Sequence, residues 1–292
     1  MQPVRIAGLN LDIKYGDIPF CEKLFSEYIV TKGSAPDMIL RTQYDEPVVE
    51  PGWEAVMEIG QSVLIRYRGR RVCRCLYDDR GDIVTMIDAE ADYSSVDITL
   101  SPKLAQTDFS MADYEYYYSG FAFSDRLLTT GGAVLHGSAI AVDGQGIVFS
   151  ANSGTGKSTQ AGLWMSCFGA RVVMINDDKP AIRFVVGRPW LYGTPWSGKS
   201  FLNANRSVPL KALIFVERAE TNRLELLGAR DSIFRLMSQM SRPYYDEELG
   251  LKTMSVIERL IQTVPIYLLH CTISREAVDL TYTQLVKEGV IE

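Results

Sequence analysis

Ile147-Val148-Phe149-Ser150-Ala151-Asn152-Ser153-Gly154-Thr155-Gly156-Lys157-Ser158-Thr159 is the stretch that decides how the chain is read. An apolar strand runs into a loop of small residues, and Gly156-Lys157-Ser158 then opens a helix-compatible segment. This order of parts predicts a phosphate-binding P-loop. Backbone N–H groups of such a loop wrap a β-phosphate, and the helix adds the positive end of its dipole. The expected nucleotide-binding residues are Asn152, Ser153, Gly154, Thr155, Gly156, Lys157, Ser158 and Thr159. Lys157 reaches the β/γ-phosphate oxygens and the Ser158 hydroxyl ligates Mg2+. Ala151 stands where the usual pattern has Gly, and Ala avoids φ > 0, so an unusual entry to the loop is expected.

Downstream, residues 172–175 are apolar throughout, as a buried central strand should be, and lead into Asn176-Asp177-Asp178. An acidic residue at the end of the strand beside a P-loop holds Mg2+ directly or through water. Two in succession allow one carboxylate to serve the metal and the other to accept the proton of an attacking hydroxyl. Upstream, His136 in Leu135-His136-Gly137-Ser138 precedes the nucleotide strand by one hairpin, which places it at the same end of the sheet. There it can pair with Asp177, orienting and tuning it; a satisfied structural histidine is the alternative. His270 lies in an apolar strand and reads as core. Gly193-Thr194-Pro195-Trp196-Ser197-Gly198-Lys199 reads either as a loop closing over substrate or nucleotide or as a rigid turn around a packed Trp. In the first reading Lys199 neutralises charge on a transferring phosphoryl group; Arg183, Arg206 and Arg275 are further, unranked cations for that role.

The rest of the chain divides around these motifs. Residues 1–110 read as an antiparallel β-rich unit, with strands in 4–14, 56–59, 63–67, 72–77, 83–88 and 95–100 and turn signals at 59–61, 68–70 and 78–81. A short helix is expected at 19–27. Residues 111–132 read as a connecting helix, with Met111, Tyr114, Tyr118, Phe121 and Leu128 at helical spacing and Gly131-Gly132 beyond its end. Residues 133–292 form the nucleotide unit: a hairpin at Asp143-Gly144, a helix over 157–168, strands at 172–175, 182–186, 190–192, 210–216 and 266–271, and helices over 229–240 and 246–263. Ser274 is read as the cap of a last helix with Ala277 and Val278 on its apolar side.

Composition bounds the function. Of 292 residues, 47% are hydrophobic and 23% charged, ordinary for a globular chain with a sizeable core. A net charge of -6 disfavours nucleic acid as a partner. No apolar run has the length of a membrane span, and the N-terminus shows no signal-peptide pattern. The five cysteines, Cys21, Cys73, Cys75, Cys167 and Cys271, are an odd, scattered set read as reduced thiols of a cytoplasmic protein. Cys73 and Cys75 are expected to point the same way from one strand.

Leu-His-Gly before a hairpin, Asn-Ser-Gly-Thr-Gly-Lys-Ser-Thr, and a strand ending in Asp-Asp together resemble the HPr kinase/phosphorylase family over residues 135–183. The same P-loop class includes the ATP-dependent phosphoenolpyruvate carboxykinases. The resemblance implies an α/β P-loop domain of the HPr kinase/carboxykinase type beside the β-rich N-terminal domain. It implies an ATP- and Mg2+-dependent kinase that phosphorylates a hydroxyl. By resemblance, His136 and Asp177 form the base pair, Lys157 binds phosphate, and Ser158 and Asp178 bind Mg2+, with the order of roles within Asp177-Asp178 open by one position. Thr159 stands where the bifunctional enzymes carry Glu, and their C-terminal signature is not found after Asp178. The chain is more similar to HPr-kinase-related proteins found beside peptide-modification genes, so the expected acceptor is a peptide or protein serine or a small molecule rather than HPr. The related kinases are oligomers, which implies a homo-oligomer. A nucleotide-dependent binding or regulatory module without phosphotransfer is the alternative function.

Overall fold

The computed structural model describes residues 1–31, 35–59, 63–69, 71–241 and 246–292. It is a mixed α/β chain with two β-rich sheets, in two compact units, Met1–Thr129 and Thr130–Arg242 with Glu248–Glu292. Among the described residues no helix is long and apolar enough to cross a membrane.

The first unit contains β1 (Gln2–Ile6), β2 (Leu9–Lys14), α1 (Ile18–Phe25), β3 (Met38–Tyr44), β4 (Glu54–Ile59), β5 (Val63–Arg68), β6 (Arg71–Tyr77), β7 (Ile83–Glu90), β8 (Ser95–Leu100) and α2 (Met111–Thr129). They form an eight-stranded sheet in the order β1-β2-β3-β8-β7-β6-β5-β4. The expected antiparallel unit is corrected in one respect: β3 is parallel to both β2 and β8. The expected strand over 4–14 divides at Ala7-Gly8, both with positive φ, into the hairpin β1–β2. The turn at 78–81 forms, Asp78 Oδ1 accepting from the amides of Arg80 and Asp82 at 2.9 Å. Those at 59–61 and 68–70 involve Gly60, Gln61 and Arg70, outside the described residues. Cys73 and Cys75 do share one buried face, their sulfurs 3.7 Å apart.

Helix α2 packs on β8 and β3 and belongs to the first unit. Its buried face is only in part the one the apolar spacing predicts. Leu128 is buried as expected, together with Tyr116, Phe123 and Leu127, whereas Phe121 is 45% exposed. The buried face also carries Glu115 and Asp125, which apolar periodicity does not count. Glu115 accepts from the amides of Gly16 (3.0 Å) and Asp17 (2.9 Å) and from the Tyr44 hydroxyl (2.9 Å). Asp125 pairs with Arg74 of β6 at 2.9 Å. Buried charge is tolerated when it is paired and hydrogen-bonded.

The second unit contains β9 (Ala133–Val134), β10 (Gly137–Val142), β11 (Gln145–Ser150), α3 (Lys157–Phe168), β12 (Val172–Asn176), β13 (Ala181–Val185), β14 (Arg188–Tyr192), β15 (Ser207–Arg218), β16 (Arg223–Leu226), α4 (Ala229–Gln239), α5 (Glu247–Thr263), β17 (Ile266–Cys271) and α6 (Arg275–Lys287). Its nine-stranded sheet runs β12-β10-β11-β15-β14-β13-β9, with β17 also on β15 and β16 on β17. Asp143 and Gly144, both at positive φ, close the β10–β11 hairpin as the Asp-Gly signal predicts. The β13–β14 turn falls on Val186-Gly187, and Pro189 pairs with Phe184. Ser274 caps α6, and Ala277 and Val278 are fully buried. Trp164 of α3 joins them in a core with Phe149, Ile214, Tyr267 and Leu269.

Because β10 is antiparallel to both β11 and β12, the latter two run the same way and end together. β12 was expected beside β11; β10 lies between them.

Replacing Glu115 by Ala should lower the unfolding free energy by about 3 kcal/mol, because it strands two amides and a hydroxyl in the interior. A urea midpoint shift at constant m measures this. A loss under about 1 kcal/mol would show that these bonds do not hold α2 to its sheet.

Candidate functional site

β11 delivers the chain into the loop at Ala151, which is 7% exposed and packs in the core. Ala151 is not among the residues at positive φ; those are Gly154 (+76°) and Gly156 (+127°). A Cβ at either glycine would meet no atom within 4 Å, so backbone conformation rather than crowding demands Gly there. The protein leaves the space over these residues open. Gly156 caps α3 without any side-chain bond, so the cap residue supplies the first amides of the helix with no side-chain acceptor. Ser158 and Thr159 lie exposed on its first turn.

Lys157 is the unusual residue of this loop. It is 7% exposed, and among the described residues its Nζ donates only to the main-chain oxygens of Ala151 (3.1 Å) and Asn152 (3.3 Å). No carboxylate among the described residues pairs with it at ion-pair distance. Burial lowers its pKa, opposed by the charge of Asp178, with Lys179 reinforcing the lowering and Asp177 opposing it to a smaller extent.

Arg218, at the end of β15, holds the loop from outside, donating to the oxygens of Gly154 (2.7 Å) and Thr155 (3.2 Å). Nothing in the local sequence marks this residue. Only the parallel pairing of β15 with β11 brings it there.

The carboxylates stand at the end of β12. Ala139 pairs with Asn176, and continuing that register puts Ser138 opposite Asp177 and Gly137 opposite Asp178. The Ser138 hydroxyl accordingly bonds Asp177 Oδ1, and the Gly137 amide donates to the Asp178 oxygen at 3.0 Å. His136 then meets Asp178, Nε2 to Oδ1 at 3.4 Å. This corrects the expected pairing of His136 with Asp177. A Cβ on Gly137 would lie 2.7 Å from Val148 and 2.9 Å from the Phe149 oxygen, so the close approach of β10 to β11 requires glycine there. Burial and then the Lys179 and Lys157 cations lower the His136 pKa, opposed by Asp178 and the Gln239 side chain.

Asn176, fully buried, orients the pair. Its Oδ1 accepts from the amides of Asp178 (2.9 Å) and Lys179 (2.6 Å), and its Nδ2 meets the oxygens of Thr194 (2.8 Å) and Trp196 (3.2 Å). The segment 193–197 is thereby anchored with Trp196 packed inside. A Cβ on Gly193 would sit 1.9 Å from the Ala204 oxygen. Lys199 and Arg206 are exposed, and Arg275 pairs with Asp279 at 3.5 Å. The cation that acts on both His136 and Lys157 is Lys179, which the sequence placed next to Asp178 without marking it. His270 is half-buried rather than core: both faces of β17 are buried over Ile266–Leu269, and the strand opens at His270. The His270 ring lies 3.2 Å from Glu225.

For a metal, the donors at hand are the Ser158 hydroxyl and the carboxylates of Asp177 and Asp178. Among the described residues no three acidic, His or Cys side chains converge. Hard oxygens in such number suit Mg2+ that keeps water and phosphate oxygens as its other ligands.

A family model described as SynChlorMet cassette protein ScmC matches residues 122–277, more than half of the chain. No curated protein matches the chain. The chain belongs to the ScmC family.

Both lowered pKa values tie stability to pH. The unfolded chain titrates His136 at 6.5 and Lys157 at 10.5, and the folded chain titrates each at lower pH. Between the two values the unfolded state binds more protons, so stability rises with pH. Stability should therefore fall as pH drops below 6.5, and His136→Gln should flatten that slope. Lys157→Met should stabilise the unliganded protein near neutral pH by about 1–2 kcal/mol, since it removes a buried unpaired charge. A less stable Lys157→Met variant in denaturant titrations would contradict this account of the loop.

Proposed function

We propose that this ScmC-family protein is a phosphotransferase that moves the γ-phosphoryl group of ATP to a hydroxyl of a peptide or protein serine or of a small molecule. The observation that carries the proposal is the buried Lys157 ammonium without a carboxylate partner, behind two positive-φ glycines at an uncapped helix N-terminus. A buried charge without a counter-charge is costly, and a polyphosphate in the open space over Gly154 and Gly156 would supply one. Asn152, Ser153, Gly154, Thr155, Gly156 and Thr159 line that space.

The chain's own groups suffice for the proton and charge movements. The acceptor oxygen attacks the γ-phosphorus while its proton passes to Asp178, and His136 Nε2 shares that proton. The β,γ-bridging oxygen leaves with the electron pair, and Lys157, the loop amides and the α3 dipole stabilise its charge. Mg2+ held by Ser158 and Asp177 would add charge neutralisation on the phosphoryl oxygens. Assigning the proton to Asp178 rather than Asp177 follows from its contact with His136. Asp177 has one oxygen occupied by Ser138.

The test is transfer from MgATP to a pool of serine peptides, polyols and hydroxy amino acids, read by mass spectrometry. Asp178→Asn should retain MgATP binding and lose transfer by about a hundredfold or more, on the scale of a catalytic base. Asp177→Asn should chiefly raise the Mg2+ concentration required. Full transfer by Asp178→Asn would return the base to Asp177. Nucleotide binding without a phosphorylated product, in a pool that includes the natural acceptor, would favour a regulatory binding module.

A further inference from the structure

After β14 the chain returns to the carboxylates along the outer edge of β12, the edge strand of the second sheet. The Asp177 amide donates to the Leu202 oxygen at 3.1 Å, the Ala204 amide donates to the Ile175 oxygen at 3.1 Å, and Asn203 bridges Asn176 in the antiparallel sense. Continuing that register puts Leu202 opposite Asp177, and directly opposed residues of an antiparallel pair share one face. Ser138 meets Asp177 from the β10 side. Asp177 is therefore flanked by Ser138 on one side and by Leu202 on the other. Asp178 is enclosed in the same way. A Cβ on Gly198 would lie 3.0 Å from the Asp178 Cβ and 3.5 Å from its Oδ2, so the bare Gly198 backbone stands beside that carboxylate.

The order across the sheet separates the two substrates. β11 carries the loop, β10 lies next to it, β12 carries the carboxylates, and residues 202–204 follow beyond them. A polyphosphate over Gly154 and Gly156 would approach the carboxylates from the β11 side. Attacking and leaving oxygens stand in line in phosphoryl transfer, so the acceptor belongs on the side away from the loop, where 198–202 lies.

That segment presents apolar side chains to solvent. Phe201 is 58% exposed and Leu202 50% exposed, side by side in the chain and next to two carboxylates. Phe201 also has φ +53° and ψ +20°, a left-handed backbone that a bulky residue adopts only at a cost. Such conformations cluster at ligand and active sites. A polyol would gain nothing by covering a Phe and a Leu, whereas an apolar side chain next to the reacting hydroxyl would bury their surface and its own.

We propose that Leu202 and Phe201 form the acceptor subsite and select a peptide serine flanked by an apolar residue. The identity of the bound group as an acceptor rests on the phosphotransfer reading above.

The test gives the full chain MgATP with the peptides Gly-Leu-Ser-Leu-Gly and Gly-Asn-Ser-Asn-Gly, and with glycerol and free serine as competitors, and quantifies each phosphorylated product by mass spectrometry. The Leu-flanked peptide should be used with a kcat/KM roughly ten- to a hundredfold above the Asn-flanked one, the scale of burying one large apolar side chain. Leu202→Asn and Phe201→Gly should each bring that ratio towards one while the KM for MgATP stays as in the wild type. Glycine suits the left-handed backbone at 201, so Phe201→Gly should not lower the thermal midpoint, which separates lost recognition from lost folding. A second arm needs no chemistry: fluorescence anisotropy of labelled Gly-Leu-Ala-Leu-Gly in the presence of Mg2+ and tripolyphosphate. If nothing is phosphorylated yet this peptide binds the wild type and not Leu202→Asn, the phosphotransfer reading falls and the apolar subsite stands. Equal use of the two peptides, a preference kept in both variants, or glycerol or free serine outcompeting the peptides overturns the subsite alone. Neither phosphorylation nor peptide binding overturns both.

Discussion

The register of β10 between β11 and β12 is the constraint on which the candidate site depends. Hydrogen bonding on both edges sets Ser138 across from Asp177 and Gly137 across from Asp178. It also makes β11 and β12 end together, so that the loop before α3 and the two carboxylates stand at one end of the sheet. A slip of one residue would turn every side chain of β10 to the opposite face. The close approach at Gly137 and the capping of Asn176 by the 193–197 segment hold that register at its functional end.

The electrostatics follow from this placement. Lys157, Lys179 and His136 share a partly desolvated region with Asp177 and Asp178, but the ammonium of Lys157 is left to main-chain oxygens. Lowered pKa values for a lysine and a histidine in the same place report cations held at a cost by the fold. Under the proposed function an anionic ligand would relieve that cost, where a further carboxylate side chain would close the site. The loop is stiffened from the opposite side by Arg218, which takes up the carbonyls of Gly154 and Thr155.

In the first unit, charge plays the reverse part. Glu115 and Asp125 sit on the buried face of α2 and are fully used by backbone amides, a tyrosine and an arginine. They bind helix to sheet rather than await a ligand. The contrast with Lys157 is what distinguishes a structural buried charge from a candidate binding group.

Local signals carried much of the architecture. The helix over 157–168, the Asp143-Gly144 hairpin, the cap at Ser274 and the shared face of Cys73 and Cys75 each depend on neighbours within a few residues, where spacing and turn chemistry decide the backbone. The same holds for the positive-φ glycines of the loop. What lay outside the sequence depends on contacts between distant segments. β3 enters the first sheet parallel to its neighbours, α2 buries a face marked by carboxylates, and β10 comes between the loop strand and the acidic strand. The partners of His136 and Asp177 were therefore set by strand register, because side chains far apart in the chain meet only where packing and backbone hydrogen bonds bring their elements together.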